Sequence, residues 1–317
     1  MVDWQSTATF NTLQARASLL QVIRQFFAER GVMEVETPSL SLGTVTDVHL
    51  ASFPVPGLTD SGEPGYLQTS PEYAMKRLLA SGSGPIYQIC KAFRREETSR
   101  QHNPEFTMLE WYRPGFSLPE LMDEVGSLLQ QVLDCSEIPR FTYQQLFQQH
   151  LQIDPHSIET QQLREVLLGK INMDISGLDD TDCLQLLMNH CIEPALPSAC
   201  FVYDYPVAQA ALARIEHDGQ GVAVAQRFEL YCGGMELANG YHELSDAEEQ
   251  RRRFAKDQAR RKELGLPAIA ADQRLLAALE HGLPDCSGVA LGVDRLLMVK
   301  LGVNSIEEVL SFPGDRA

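Results

Sequence analysis

No apolar run in this sequence of 317 residues reaches the roughly 20 residues that a membrane-spanning helix needs. The first ten residues, MVDWQSTATF, also lack the basic start and the apolar centre of a secretory signal peptide. Both absences argue against a membrane protein and against an exported one. We therefore expect a cytoplasmic protein.

No CxxC pair occurs among the seven cysteines, and their number is odd. A disulfide framework or a structural zinc site is built from paired cysteines, so this pattern argues against both. We expect reduced thiols that pack in the interior. The cysteines are Cys90, Cys135, Cys183, Cys191, Cys200, Cys232 and Cys286.

Positive charge is scarce, because 26 Lys and Arg residues stand against 43 Asp and Glu residues, for a net charge of −17. Such a chain repels nucleic acid phosphates unless it carries a strongly localised basic patch. Small charged ligands remain compatible with this charge. The segment 245–264 is rich in basic residues and either serves solubility or docks an acidic protein partner.

Neither an internal repeat nor a low-complexity linker interrupts the chain, so we expect one domain over residues 1–317. Long amphipathic segments predict helices, and hairpins connect most of the predicted strands. This pattern predicts an α+β fold in which helices flank an antiparallel β-sheet. The stretch 118–200 is predicted to be helical and shows no recognisable chemistry. The predicted helix starts are Asn11 as a cap, Pro71 in a first turn, a capping box from Ser245 to Glu248, and Asp294 as a cap.

The segment FRREETSRQHNPEF, residues 93–106, places much charge at the tip of a predicted hairpin. One interpretation is a solvated loop without a function. The other is a nucleotide site, since an arginine fork matches phosphate oxygens and Glu or Asn side chains match the donor edge of adenine. The residues that suit this second interpretation are Arg94, Arg95, Glu96, Asn103 and, as an aromatic face, Phe106.

The strand EFTMLEWY, residues 105–112, follows this tip. Its alternation places Phe106, Met108, Glu110 and Tyr112 on one face. A carboxylate among such residues indicates either an edge strand whose acid reaches solvent or the floor of a pocket for an amino group.

The segment GGMELANGYHEL contains Asn239-Gly240, a strong signal for a two-residue hairpin turn. In that hairpin Glu236 faces Glu243 at about 5 Å, and the two carboxylates repel each other unless a cation lies between them. A magnesium ion would relieve the repulsion. The alternative is two exposed acids that turn into water.

The segment SGVALGVDRLL predicts a strand that leads into a helix capped by Asp294. Backbone amides and Arg295 then converge where an anion would bind. Gly288 and Gly292 are expected to let the backbone approach a flat ligand closely.

Together these segments resemble the class II aminoacyl-tRNA synthetase catalytic core. VMEVETPSL, FRREETSRQHNPEF and GVALGVDRLL are similar to its motifs 1, 2 and 3, and HNPEFTMLEWY, SPEYAMKRLL, GGMELANGYHELSDAEEQ and ALEHGLP resemble the lysine-specific branch. The first helix begins near Asn11, so we expect no anticodon-binding domain. The strongest resemblance is to truncated lysyl-tRNA synthetase paralogues, which implies activation of (R)-β-lysine by ATP, transfer to a lysine of elongation factor P, and no tRNA substrate.

The resemblance also implies roles for individual residues. Arg94 would bind the α-phosphate, Arg295 the γ-phosphate, Glu96 the adenine amino group, and Phe106 would stack on the base; Arg94 and Arg295 would be the catalytic pair. The residues that match the ATP site are Arg94, Arg95, Glu96, His102, Asn103, Phe106, Glu236, Leu237, Gly292 and Arg295. Those that match the amino-acid pocket are Ser70, Pro71, Glu72, Glu110, Tyr112, Glu243 and Ala290, and Glu236 and Glu243 match the carboxylates that bind Mg²⁺.

Two departures from the family pattern bear on these roles. Arg95 stands where such loops usually have Asn, and Ala290 stands where the lysine synthetases have Gly. The methyl group of Ala290 indicates an amino acid other than ordinary α-lysine. The motif 1-like stretch implies a homodimer. A tRNA-charging or adenylate-forming fragment and a non-catalytic regulator remain the alternatives.

Overall fold

The computed structural model of the protein describes residues 4–58, 62–95, 98–133, 135 and 137–317. The helices in these ranges are α1 Phe10–Glu29, α2 Glu72–Ala80, α3 Leu118–Leu133, α4 Tyr143–Leu151, α5 Thr160–Lys170, α6 Asp180–Leu187, α7 Ala247–Glu263, α8 Gln273–Gly282 and α9 Val293–Leu301. The strands are β1 Met33–Glu34, β2 Leu40–Ser41, β3 Pro54–Val55, β4 Gly65–Leu67, β5 Ile86–Phe93, β6 Glu105–Pro114, β7 Arg140–Thr142, β8 Ala199–Pro206, β9 Ile215–His217, β10 Ala223–Cys232, β11 Met235–His242 and β12 Cys286–Gly292.

The main sheet has the order β1-β5-β6-β12-β11-β10-β8-β7, and β9 also pairs with β10. Its neighbours are antiparallel except for the pairs β1–β5 and β7–β8. β2, β4 and β3 form a separate small sheet. The predicted α+β fold with an antiparallel sheet is confirmed, and the two-residue strand β1 lies at the sheet edge.

One face of the main sheet is covered by α1, α3 and α9. Phe27 of α1, Val125 of α3 and Leu297 of α9 pack with Leu109 and Trp111 of β6 in one buried cluster. The predicted alternation of β6 is therefore confirmed, since its odd-numbered residues point into this core. The even-numbered residues of β6 point to the opposite face, where the candidate site lies.

Two further clusters border that opposite face. α4, α5 and α6 pack against β8 and β10, so the stretch predicted to be helical is indeed largely helical. α2, α7 and α8 bury Met75, Phe254 and Leu279 against Tyr112 and Cys286 of the sheet. This third cluster holds α2 beside the strands that carry the candidate pocket.

The carboxylate of Asp294 joins three distant parts of the chain. It is 1% exposed, accepts the backbone N–H of Thr107 at 2.6 Å, and forms an ion pair with Arg16 of α1. Asp294 therefore does not cap α9, whose N-cap is Gly292. A buried carboxylate needs such donors, and here they fix α1, β6 and α9 relative to one another.

Three other predicted helix starts are wrong by one or two residues. Thr9 caps α1 in place of Asn11. Pro71 is the N-cap of α2 and not its first residue. α7 is capped by Asp246, which accepts the N–H groups of the second and third helical residues, and not by Ser245.

The predicted turn at Asn239-Gly240 is wrong, because β11 runs straight through both residues. The chain reverses at Gly233 and Gly234, whose φ angles of 61° and 74° favour glycine. Gly240 faces the ring of Phe228 on β10, and a Cβ added to it would lie 2.4 Å from that ring.

A β-bulge follows the true turn. Tyr231 pairs with Glu236 and the preceding residue of β10 pairs with Ala238, so Leu237 is an extra residue in β11. Leu237 and Ala238 are both buried in the main core. The bulge resets the alternation, so that Glu236 points to the same face as Asn239 and Tyr241.

The basic residues of α7 are largely neutralised by its own acids. Arg251, Arg252, Arg253 and Arg260 each form an ion pair with a glutamate of the same helix. Arg261 is 6% exposed and donates to backbone carbonyls. This arrangement favours the solubility interpretation over a docking patch for an acidic partner.

The seven cysteines are all free thiols, and four of them are buried, whereas Cys90, Cys135 and Cys191 are half-buried. Among the described residues, we find no helix whose length and apolar character would suffice to cross a bilayer.

We expect Gly240→Ala to destabilise the protein by about 1 to 3 kcal/mol, because its methyl group overlaps the Phe228 ring. Gly126→Ala in α3 is the matched control, since a Cβ there meets nothing within 4 Å. Urea unfolding measures both changes. Adding Phe228→Leu should recover part of the loss at Gly240, and strictly additive losses would contradict this packing.

Candidate active site

A row of four paired residues crosses the centre of the main sheet. Glu229 of β10 pairs with Asn239 of β11, Asn239 with Ala290 of β12, and Ala290 with Glu110 of β6. Because residues directly paired across strands share a face, all four side chains point away from Trp111 and the main core. The amide oxygen of Asn239 is buried and has no hydrogen-bond partner among the described residues, so it is available to a ligand.

The next row places Tyr241 beside Gly288 and Gly288 beside Tyr112. A Cβ on Gly288 would lie 2.3 Å from the Tyr112 ring and 2.6 Å from Glu243 Oε1. The missing side chain of Gly288 therefore makes room for Tyr112, and the expectation that it admits a flat ligand is wrong. Gly292 differs, because a Cβ there would meet only the Arg295 side chain, at 3.8 Å.

Three carboxylates, those of Glu72, Glu110 and Glu243, lie around these rows, and we call them the acid cluster. Ser70 Oγ donates to Glu110 Oε2 at 2.6 Å, and Tyr112 Oη donates to Glu110 Oε1 at 2.6 Å. The N–H of Glu72 in turn donates to Ser70 Oγ at 3.1 Å. The structure thus brings together most of the residues predicted for the amino-acid pocket.

A buried lysine that the sequence analysis missed completes the acid cluster. Lys76 is 2% exposed, and its Nζ lies 2.6 Å from Glu72 Oε1 and 2.6 Å from Glu243 Oε2. Its spacing of four residues from Glu72 on one helix is the only signal of this contact in the sequence.

Burial dominates the electrostatics of the acid cluster. It raises the pKa of Glu110 to about 7, with a further contribution from the charge of Glu72. It raises the pKa of Glu243 to about 8, where Lys76 opposes the increase and Glu72 adds to it. Burial alone would lower the pKa of Lys76, but Glu243 and Glu72 outweigh it and the pKa is raised. The pocket therefore favours additional positive charge.

The hairpin of β5 and β6 carries a second group of functional side chains. The guanidinium of Arg94 lies 5.1 Å from the ring centroid of Phe106. Arg295 donates to the carbonyl of Glu236 at 2.7 Å, and its Nη2 lies 2.6 Å from His102 Nε2. Two arginines, an aromatic face and an imidazole thus meet at the predicted nucleotide tip.

The remaining residues predicted to bind ATP differ in whether their side chains are available to a ligand. Asn103 donates to the carbonyl of Glu105 at 2.6 Å and accepts the N–H of Gly314 at 3.0 Å, so its amide is occupied by the chain itself. The backbone N–H of Arg95 donates to the carbonyl of Ala51 at 2.7 Å. The Leu237 side chain lies in the core, which leaves only its backbone for a ligand. Glu96 lies outside the described residues.

The prediction that Glu236 and Glu243 lie opposite each other across a hairpin is wrong. The two residues are seven positions apart along one extended segment, which separates their Cα atoms by roughly 20 Å. Glu243 belongs to the acid cluster and contacts Lys76. A single ion cannot bridge carboxylates at that separation.

Glu229 is the acid that lies near Glu236. Burial and the charge of Glu229 together raise the pKa of Glu236 to about 7, against the opposing charges of three arginines. Glu229 accepts hydroxyl hydrogen bonds from Tyr205 at 2.7 Å and Tyr231 at 2.6 Å, and it forms an ion pair with Arg227. The sequence pattern gives no signal for Glu229, because its proximity to Glu236 depends on the turn at 233–234.

A metal ion would need ligands beyond this pair. In the part of the chain that the structure describes, no group of three or more His, Cys, Asp or Glu side chains is arranged to hold an ion. Mg²⁺ usually takes one or two carboxylates together with substrate phosphates and water, and Glu229 with Glu236 beside the arginine-lined tip fits that pattern.

Comparison with known proteins identifies the family. The chain matches the family described as "tRNA synthetases class II (D, K and N)" over residues 1–316. It is 52% identical over 328 residues to the protein named "Elongation factor P--(R)-beta-lysine ligase" of Edwardsiella ictaluri, covering 100% of this chain and 99% of that protein. It is 51% identical over 324 residues to the protein of the same name from Salmonella paratyphi B, covering 99% and 98%. The chain therefore belongs to the class II tRNA synthetases of the D, K and N group.

Proposed function

We propose that the protein is a ligase that uses ATP to activate (R)-β-lysine as an adenylate and transfers it to a lysine side chain of elongation factor P. The observation that carries the proposal is a buried acid cluster next to an arginine-lined hairpin tip. The acid cluster suits ammonium groups, and the tip suits the phosphates of ATP. The names of the full-length relatives support the same activity.

In this proposal the amino acid binds over the row that contains Ala290. Glu110, held by Ser70 and Tyr112, accepts one ammonium group. The amide oxygen of Asn239 lies in the same row and can accept a hydrogen bond from the second amino group of the amino acid. The Ala290 methyl group lies between them and restricts the substrate backbone, which supports an isomer other than α-lysine.

The adenylation step requires no general base, because the attacking substrate carboxylate is already ionised at neutral pH. Its oxygen forms a bond to the α-phosphorus of ATP while the bond to pyrophosphate breaks. Arg94 and Arg295 neutralise the phosphate charge, and Phe106 stacks on adenine. The amine of the acceptor lysine then attacks the acyl carbon, and AMP leaves.

Glu229 and Glu236 would hold Mg²⁺ in this site. When bound, the ion neutralises charge on the phosphates. Without it, the two carboxylates repel each other in a buried setting, which is the cause of part of the raised pKa of Glu236.

We also propose a homodimer. Met33 of the edge strand β1 is 51% exposed, and Trp4 and Phe10, at the opposite end of α1, are 79% and 86% exposed. Exposed apolar side chains at both ends of α1 support an interface that runs along this helix.

The proposed function is tested by measuring pyrophosphate exchange with β-lysine and α-lysine, followed by transfer to elongation factor P and to tRNA. We expect exchange to favour β-lysine and transfer to occur only to the protein. Ala290→Gly should reduce the preference for β-lysine by removing the methyl group. Equal exchange with both isomers in the unaltered enzyme, or transfer to tRNA alone, would refute the proposal.

Glu110→Gln should raise the KM for the amino acid by about 10- to 150-fold, since it removes a charge-assisted bond that contributes about 1.5 to 3 kcal/mol. The KM for ATP is the internal control and should not change. An unchanged KM for the amino acid would exclude Glu110 from the pocket.

Amino-acid binding should strengthen as the pH rises through about 7 and about 8, because the raised pKa values keep Glu110 and Glu243 protonated at lower pH and only the ionised carboxylates pair with ammonium. The pH profile of kcat/KM for the amino acid measures this. In Glu110→Gln the step near pH 7 should disappear. A flat wild-type profile between pH 6 and 9 would contradict the assignment.

Glu229→Gln and Glu236→Gln should each raise the Mg²⁺ concentration needed for half-maximal exchange by roughly 10-fold or more. Glu243→Gln is the matched comparison, because it changes a carboxylate of the same strand region outside this pair. It should weaken amino-acid binding and leave the Mg²⁺ requirement unaltered. The reverse result would restore the pairing predicted from the sequence.

Sedimentation should give a particle of twice 35.4 kDa at micromolar concentration. Met33→Glu places a charge in the proposed interface and should shift the equilibrium toward single chains. A monomer at all concentrations would rule out the dimer.

A further inference from the structure

Lys76 has no part in the chemistry described above, yet it is among the largest fully buried side chains of the protein. A buried ammonium group is costly unless acceptors surround it. Glu72 and Glu243 supply two, each at 2.6 Å from Nζ. α2 thus inserts a permanent cation into a pocket whose substrate is itself cationic.

The charges of the acid cluster and of Lys76 can be compared with those of the substrate. The acid cluster contributes three carboxylates, and Lys76 contributes one ammonium group. When all three carboxylates are ionised, as they are above the raised pKa values of Glu110 and Glu243, two negative charges are left for a ligand. β-Lysine carries two ammonium groups, so ligand and Lys76 together match the three carboxylates one for one.

The distribution of free oxygens supports this count. Each oxygen of Glu110 accepts one hydroxyl hydrogen bond, from Ser70 or Tyr112, and keeps a second lone pair for an ammonium group. Lys76 contacts only one oxygen each of Glu72 and Glu243. Among the described residues neither Glu72 Oε2 nor Glu243 Oε1 has a hydrogen-bond donor, and Glu243 Oε1 lies over Gly288.

We propose that Lys76 is a positioning residue that sets the charge of the pocket: it holds Glu72 and Glu243 in place and leaves two negative charges, which selects an amino acid with two ammonium groups over one with a single ammonium group. The inference rests on the proposed function, because it concerns the same pocket.

The test is to change the charge count in both directions. Lys76→Met leaves three carboxylates without a resident cation, and Glu243→Gln leaves one net negative charge. The double variant, Lys76→Met with Glu243→Gln, restores two net negative charges. Pyrophosphate exchange with β-lysine, and with its analogue in which a methyl group replaces the terminal ammonium, gives kcat, KM and the preference between the two substrates.

We expect each single variant to lose roughly 10-fold or more in kcat/KM for β-lysine, mainly through KM. The effect of Glu243→Gln on kcat/KM should depend on the background. It should lower kcat/KM in the wild-type enzyme, but raise it in the Lys76→Met enzyme and restore part of the preference for β-lysine. Arg77→Met, the next residue of α2 and exposed, is the matched control and should behave as wild type.

Additive losses in the double variant would show that Lys76 has only a structural role, and an unaffected Lys76→Met enzyme would show that it has none in selection; either result overturns the inference. If Lys76→Met does not fold, Lys76→Gln with and without Glu243→Gln provides the same comparison, because the amide can still donate to Glu72.

Calorimetric binding of cadaverine, which has two amino groups, and of hexylamine, which has one, separates this inference from the proposed function. A preference for the diamine that follows the charge count, without any exchange activity, would leave the inference standing and remove the function.

Discussion

The alternation of side chains along β6 is the constraint on which the rest of the structure depends. Leu109 and Trp111 enter the core beneath α1 and α3, while Glu110 and Tyr112 point to the opposite face. Glu110 is therefore anchored by an apolar neighbour on either side in the chain, and Tyr112 by Trp111 before it. A register slip of one residue would bury the carboxylate in the core and expose the tryptophan, so stability and site geometry are specified together.

The bulge at Leu237 is the second device that assembles the site. Without it, strict alternation would point Glu236 into the core and leave Glu229 without its neighbouring acid. With it, the central strands present Glu229 and Glu236 on the same face as Glu110. In the proposed function, phosphates would bind near the first two and an ammonium group near the third, and Asn239 and Ala290 lie between Glu229 and Glu110 in one row.

The sequence predicts what depends on local pattern. The two faces of β6, the charged hairpin tip and the α+β fold follow from periodicity and from turn signals. The turn at Asn239-Gly240 does not, because Phe228 packs against Gly240 and two glycines with positive φ turn the chain six residues earlier. The burial of Lys76 and Asp294 also escapes prediction, since such residues are normally exposed and their partners lie on other elements.

The contact between Arg16 and Asp294 joins residues 278 positions apart, and it has a consequence for how the chain is made. During synthesis the N-terminal helix leaves the ribosome long before its partner carboxylate exists. The backbone N–H of Thr107 likewise has no carboxylate to bind until Asp294 has been synthesised, and the amide oxygen of Asn103 has no N–H to accept until Gly314 has been synthesised. The hairpin tip and the core face beneath α1 therefore cannot be completed until the segment 294–314 has been synthesised, because these long-range contacts close only then.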